Sequence, residues 1–499
     1  MTAMPVTSSA LGESHPKAGD LNAQVRETHT GIVFLVGEKA YKVKKPLRTD
    51  FLDFSTPERR ERACEDEVAL NRRLAPDSYF GVAHFSGPGD DPAEPVVVMR
   101  RYPDDARLAS LVRNNEPVHH HLCVIAEKLA HFHAGAKRNH VIDTHGSVSA
   151  VAGRWQQNLE ELARYKATVE GESLREVARL ASQFGRGRAA LFAQRIADHR
   201  IVDGHADLLA DDIFCTPDGP AVLDCLEFDD HLRYVDGIDD AAFLAMDLEF
   251  LGRKDLADHF LDEYCRRAGD TAPQALRDFY IAYRAIVRAK VDCIRVAQGH
   301  PHAADDARKH IDIALHHLRA STVRLIVVGG GPGTGKTTLS RAVAEEIGAQ
   351  VISTDDVRRE LQQSGAVTGR VGELDAGLYT PEKVSLLYDD VLRRAQLSLS
   401  GGRSVILDGT WRDAHQRERA REVANETTVP IVEFSCSLPL ADASARIEGR
   451  RSSTSDATPE IAASLAELGV DLEGTHRIDT SRPLAESVAD VKKICCRAI

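Results

Sequence analysis

Residues 330–338 read Gly330-Gly331-Pro332-Gly333-Thr334-Gly335-Lys336-Thr337-Thr338, a Gly-x-x-x-x-Gly-Lys-Thr string. Glycines at this density let successive backbone N–H groups turn inward around polyphosphate oxygens. The lysine then neutralises charge on the β- and γ-phosphates, and the hydroxyl of Thr337 serves Mg²⁺. ATP and Mg²⁺ are the expected cofactors. The neighbouring residues agree. Val323–Val328 is an apolar run of strand length, and Leu339, Val343 and Ile347 recur on one helical face after the loop.

A second constellation lies upstream. His205-Ala206-Asp207-Leu208 is followed by Asp212, and the apolar run Ala221-Val222-Leu223 ends in Asp224. Phosphoryl transfer needs one carboxylate at the attacking hydroxyl, a second group on Mg²⁺, and an Asp that bridges Mg²⁺ to the phosphates. These strings resemble the aminoglycoside phosphotransferase and choline kinase superfamily, whose usual forms are His-Gly-Asp-x-x-x-x-Asn and Ile-Asp-(Phe/Trp). The resemblance covers roughly residues 22–300. It implies a catalytic base at Asp207, metal ligands at Asp212 and Asp224, and a phosphate-gripping lysine held by a helix glutamate. Lys44 is the first choice for that lysine, with Lys42 on the same strand face as the fallback. Glu67 is the first choice for the glutamate, ahead of Glu65. Two departures stand out. Ala206 replaces the usual glycine, so a left-handed backbone there is strained. Asp212 replaces asparagine, which keeps a hard oxygen ligand but adds negative charge. Thr28-His29-Thr30-Gly31 is a thin substitute for a glycine-rich cover.

The downstream part resembles the small P-loop kinases: polynucleotide kinase, zeta toxin, chloramphenicol phosphotransferase and gluconate kinase. The resemblance rests on Val351-Ile352-Ser353-Thr354-Asp355-Asp356-Val357-Arg358 and on Ser404-Val405-Ile406-Leu407-Asp408. It implies Asp355 as base, Arg358 as acceptor-binding residue and Asp408 as a Walker B metal ligand. It also implies a lid arginine, for which Arg450 is chosen over Arg446 and Arg451, and an adenine-side loop at Ile478-Asp479-Thr480-Ser481. The plainer readings are that Asp355 caps a helix starting at Val357 and that the arginines form a basic helix end. The chain after Asp408 is too short for the helical lid of an AAA-type motor. In order, the whole chain resembles a bacterial two-part family that joins an aminoglycoside phosphotransferase-like half to a P-loop kinase half.

The elements that must position these groups can be read along the chain of 499 residues. Residues 1–20 read as a loose tail. Residues 21–103 read as a kinase-like β-lobe, with a hairpin over Gly31–Lys44, a charged helix from Pro57 to Leu74 and a strand at Val96–Met99. Residues 104–320 read as a helical lobe, broken by loop and strand at 201–228. Residues 321–499 read as the P-loop domain with a parallel sheet. The expected class is therefore an α+β protein-kinase-like bilobal domain followed by an α/β P-loop NTPase domain.

A net charge of −13 argues against broad nucleic-acid or anionic-membrane binding. No apolar run reaches membrane-spanning length, and no signal peptide is visible. Nine scattered cysteines with no Cys-x-x-Cys pair read as reduced thiols in the cytoplasm. The expected partner is a small-molecule hydroxyl acceptor such as a sugar, an aminoglycoside or a nucleotide-like compound; oligomeric state is not encoded in any local string. The alternative is an upstream half that regulates the P-loop kinase without transferring phosphate. Asp229, Asp230, Asp236, Asp239 and Asp240 either receive a cationic substrate or cap and pair local helices. His119-His120-His121 reads as solvated surface before it reads as a metal tract.

Overall fold

The computed structural model describes residues 23–27, 30–48, 53–86, 93–368, 380–449, 463 and 474–498. The chain opens with an antiparallel sheet of β1 (Gln24–Glu27), β2 (Gly31–Val36), β3 (Lys39–Lys44), β4 (Tyr79–Phe85) and β5 (Glu94–Arg100), ordered β1-β2-β3-β5-β4. Side chains alternate across a strand, and β3 buries Ala40, Lys42 and Lys44 on one face. That face is covered by the helix Pro57–Asn71, which Thr56 caps and Pro57 starts. The helix was expected to reach Leu74. It stops three residues earlier because the backbone tightens, with Arg73 N–H and Leu74 N–H donating to Leu70 and Asn71 carbonyls. The sequence reading missed β1 and β4. β1 is a mostly exposed edge strand, and β4 shifts register between Tyr79 and Gly81.

The second lobe is helical around one core that runs from Leu74 to Leu318. Its centre is the helix Gly237–Phe250, buried on nearly every side. Two small antiparallel pairs interrupt it: β6 (Ile201–Asp203) with β9 (Tyr234–Asp236), and the hairpin β7 (Ile213–Thr216)–β8 (Gly219–Val222). They carry the Asp207 loop and present Asp224 just past β8.

The helix Ala303–Ala320 leads into the third unit. There β10 (Leu325–Gly330), β11 (Gln350–Ser353), β12 (Val405–Asp408), β13 (Ile431–Ser437) and β14 (His476–Asp479) form a parallel sheet in the order β11-β12-β10-β13-β14. Separate apolar clusters cover its two faces, one around Val391 and Leu407, the other around Leu339 and Phe434. Burial on both faces is why the central strands β10 and β12 read as continuous apolar runs. The chain is thus a protein-kinase-like bilobal domain followed by a P-loop NTPase domain. The two pack directly: Arg188 donates from Nη1 to the carbonyl of Thr427 at 3.0 Å, and Gly402 lies against Leu191 and Pro273. Among the described residues no helix is long and apolar enough to cross a membrane.

Candidate nucleotide and phosphotransfer sites

In the P-loop domain, β10 delivers the chain into a loop that only glycine can follow at its tightest points. Gly333 has φ +76°, and a Cβ there would sit 2.5 Å from the carbonyl oxygen of Ala443. Gly335, at φ +84°, starts the helix Lys336–Ile347 without a side-chain cap, so its first amides face the loop. Thr334 Oγ1 donates to Gly331 O at 2.8 Å, and Lys336 Nζ donates to the same carbonyl at 2.9 Å. Thr480 Oγ1 holds Thr334 O at 2.7 Å, tying the loop to the segment after β14.

Thr337 Oγ1 donates to Asp408 Oδ2 at 2.6 Å. Asp408 is buried, and its other oxygen has no hydrogen-bond partner among the described residues. Burial pushes its carboxyl up, against the pull of Thr337 and Lys336. A divalent cation completed by phosphate oxygens fits this pair, because Mg²⁺ commonly takes only one or two protein carboxylates. Asp355 sits in the first turn of the helix Thr354–Gln363 and pairs with Arg358 at 2.7 Å. The helix begins earlier than the sequence suggested, with Ser353 at the cap position, so Asp355 is not the N-cap.

Beside the loop is a cavity of about 310 Å³ lined by Gly335, Thr338, Arg446, Thr480, Arg482 and Leu484, among others. Arg446 Nη2 donates to Thr480 O at 2.9 Å. Arg450 and Arg451 lie outside the described residues, as do Thr28, His29 and the first 22 residues.

In the kinase-like half, Glu67 lies fully buried beneath β3 and meets both lysines: Lys42 Nζ at 3.0 Å and Lys44 Nζ at 2.5 Å. Lys44 is enclosed between Glu67 and Glu227. Lys42 is the one that continues to Asp224, at 2.5 Å. The first choice, Lys44, therefore sits one layer too deep to face the cleft, and the fallback takes the outer position. Asp224 and Glu227, one at each lysine, separate them, and both lie far away in sequence.

Asp224 has φ +64° and is held by its neighbours. Its N–H donates to Tyr79 Oη at 3.2 Å, and Cys225 N–H donates to Asn71 Oδ1 at 2.9 Å. Ala206 has φ +69°, the strained left-handed backbone expected where glycine is usual. Asp240 stabilises that turn by accepting from His205 N–H and Ala206 N–H, each at 2.7 Å. Arg73 adds bonds to the carbonyls of Asp203 and Gly204. Sequence reasoning missed Arg73, Asn71, Tyr79 and Glu227.

Asp207, Asp212 and Asp224 share one field. Burial pushes Asp207 up to about 6; Arg288 opposes the rise and Asp224 adds to it. Burial also raises Asp212 well above the carboxylate range, reinforced by Asp224 and Asp207. Asp224 stays low because Lys42 and Lys44 outweigh its burial. Mutual repulsion of this kind is what a divalent cation relieves, so the residues suit Mg²⁺. Among the described residues no group of three or more His, Cys, Asp or Glu side chains is itself arranged to hold a metal, the His119–His121 tract included.

The acidic stretch serves the fold. Asp236 pairs with Arg195 at 2.6 Å, Asp239 with Arg284 at 2.7 Å and Asp240 with His133 at 2.9 Å, all three buried. Asp230 pairs with Arg233, and Asp229 caps a short helix. Their use by the core argues against a cationic substrate there.

Residues 325–468 match the AAA domain model AAA_33. Over 494 residues the chain is 56% identical to the uncharacterized protein Rv2004c of Mycobacterium tuberculosis, covering 99% of each. The chain belongs to that family. It is also 33% identical over 103 residues to an adenylate kinase of Bacteroides thetaiotaomicron, covering 20% of this chain and 53% of that enzyme. A choline kinase structure from Cryptosporidium parvum aligns at 10% identity and TM-score 0.39, covering 61% of this chain and 90% of that one. The downstream half of this family member is a kinase-like P-loop domain.

Proposed function

We propose that the chain is an ATP- and Mg²⁺-dependent phosphotransferase with a phosphate-handling site in each half, acting on hydroxyl groups of small molecules. The observation that carries the reading is the Thr337–Asp408 hydrogen bond at the foot of the Lys336 loop, with an unpartnered carboxylate oxygen beside it. In the P-loop half, the amides of Gly331–Thr338 and Lys336 hold the phosphates, and Thr337 and Asp408 hold the metal. Asp355 takes the acceptor proton, Arg358 orients the acceptor, and Arg450 is the lid arginine. In the kinase-like half, Lys42, steadied by Glu67, meets the phosphates. Asp212 and Asp224 hold the metal. Asp207, on the loop between β6 and β7, is the carboxylate that takes the acceptor proton. When bound, Mg²⁺ neutralises charge developing on the transferred group. All nine cysteines are free thiols, which supports a cytoplasmic setting.

The test uses labelled ATP and a metabolite library on the full chain and on Lys336→Ala and Asp207→Asn. Each variant should lose one set of phosphorylated products and keep the other. If Asp207→Asn leaves every product intact, the kinase-like half is not a transferase.

A further inference from the structure

Asp224 sits in a turn that neither lobe of the kinase-like half completes alone. Four successive amides, from Leu223 to Leu226, carry the chain past β8, and each has a definite acceptor. The outer two stay within the helical lobe: Leu223 N–H donates to Asp212 O at 3.0 Å, and Leu226 N–H donates to His205 O at 3.2 Å. The inner two cross to the β-lobe. Asp224 N–H donates to Tyr79 Oη at 3.2 Å, and Cys225 N–H donates to Asn71 Oδ1 at 2.9 Å. Both acceptors are buried side chains. The backbone they hold has φ +64° at Asp224. A left-handed residue with a Cβ persists only where its surroundings over-determine it.

The helix that supplies Asn71 also fixes the carboxylate. Asn71 is its last residue, and Asn71 Nδ2 donates to Glu67 O one turn back at 2.9 Å. Glu67 holds Lys42 at 3.0 Å, and Lys42 meets Asp224 Oδ1 at 2.5 Å. Helix, lysine and acid therefore close a ring. Tyr79, at the start of β4, braces that ring from the sheet. Arg73 adds a further crossing, donating from Nη2 to Gly204 O at 2.9 Å and to Cys225 Sγ at 3.2 Å. The Asp224 side chain stays 41% exposed, which leaves room for a cation.

We propose that Tyr79 and Asn71 are positioning residues for the metal of the kinase-like half. They fix the two peptide planes that flank Asp224 and so aim its carboxylate, and the β-lobe thereby sets metal affinity in the helical lobe. The proposal rests on the assignment of Asp224 to the metal.

The test is calorimetry of ATP binding, in EDTA and in Mg²⁺, on a full-length Lys336→Ala background chosen to remove binding at the P-loop. Mg²⁺ should tighten binding in this parent, and Asp224→Asn should abolish the gain. Tyr79→Phe, which removes a single oxygen, should cut the gain about tenfold and leave affinity in EDTA unchanged; Asn71→Ser should do the same. A purely structural role would lower thermal stability without touching the gain. With no ligand present, hydrogen exchange at Asp224–Cys225 should speed up in Tyr79→Phe while Leu325–Gly330 keeps its protection. A full magnesium gain in either folded variant overturns the role of that residue, and unchanged exchange in Tyr79→Phe overturns the role of Tyr79, because its hydroxyl then does not hold the turn. If the parent gains nothing from Mg²⁺, or Asp224→Asn keeps the gain, the assignment of Asp224 to the metal fails and the proposal falls with it.

Discussion

His317 ties the fold to pH in a way that can be weighed. It is buried where the helices Gly237–Phe250, Gln274–Ala297 and Ala303–Ala320 meet, with Nδ1 2.7 Å from Asp278 and Nε2 2.7 Å from Glu249. Burial alone would lower its pKa, but the two carboxylates win and raise it from 6.5 to about 9. The folded state therefore binds the proton more tightly than the unfolded chain. The resulting stabilisation is fully present below pH 6.5 and is lost as pH rises through 9. A rise of that size corresponds to about 3 kcal/mol, at no more than about 1.4 kcal/mol per pH unit. The assay is urea unfolding of the wild type and of His317→Gln at pH 6, 7.5 and 9.5. The difference between the two proteins should be about 3 kcal/mol at pH 6 and should shrink toward zero by pH 9.5; thiols and surface groups common to both cancel. A difference that stays constant across this range refutes the assignment of a charged His317.

The two lysines of β3 should separate cleanly. Lys42→Ala should weaken ATP binding by the kinase-like half at least about tenfold in calorimetry on a Lys336→Ala background, and should also cost stability, because Lys42 is buried between Glu67 and Asp224. Lys44→Ala should destabilise the β-lobe by roughly 3 kcal/mol without a specific loss of ATP affinity, because it leaves Glu67 and Glu227 buried without their shared cation. Asp355→Asn should lower kcat for P-loop products by at least about a hundredfold while KM for ATP holds steady; a rise in KM alone would make Asp355 a binding residue. Ala206→Gly should leave Asp207 chemistry in place and change stability by no more than about 1 kcal/mol, read from thermal unfolding. Relief at φ +69° is offset by the added freedom of the unfolded chain.

Local strings carried most of what sequence could reveal. The phosphate loop, Asp355 and Asp408 stand at the carboxyl ends of β10, β11 and β12 of one parallel sheet, and these short strand-and-turn windows are legible locally. The kinase-like half was legible in its residue types but not in its pairings. Nothing in Lys42-Val43-Lys44 says which amine faces the cleft, since both lie on the same side of the strand. The answer comes from Asp224 and Glu227, some 180 residues away, one at each lysine. The acidic stretch from Asp229 to Asp240 reads either way in sequence for a related reason. The partners of Asp236, Asp239 and Asp240, namely Arg195, Arg284 and His133, sit on other helices, so these buried pairs close only once the lobe is assembled.

The same long-range pairings explain how Ala206 is tolerated where glycine is usual. An alanine in left-handed backbone costs about 1–2 kcal/mol. Asp240 meets that cost with two charge-assisted bonds to the strained turn, and is itself held by His133, which Tyr264 orients at 2.8 Å. Each such bond contributes on the order of 1.5–3 kcal/mol, so the network outweighs the strain. The shape of the Asp207 loop is therefore set by the helix Gly237–Phe250 beneath it rather than by the residue at its apex. Asp240→Asn, which keeps one acceptor oxygen but gives up the charge, should consequently disturb transfer by this half more than Ala206→Gly does.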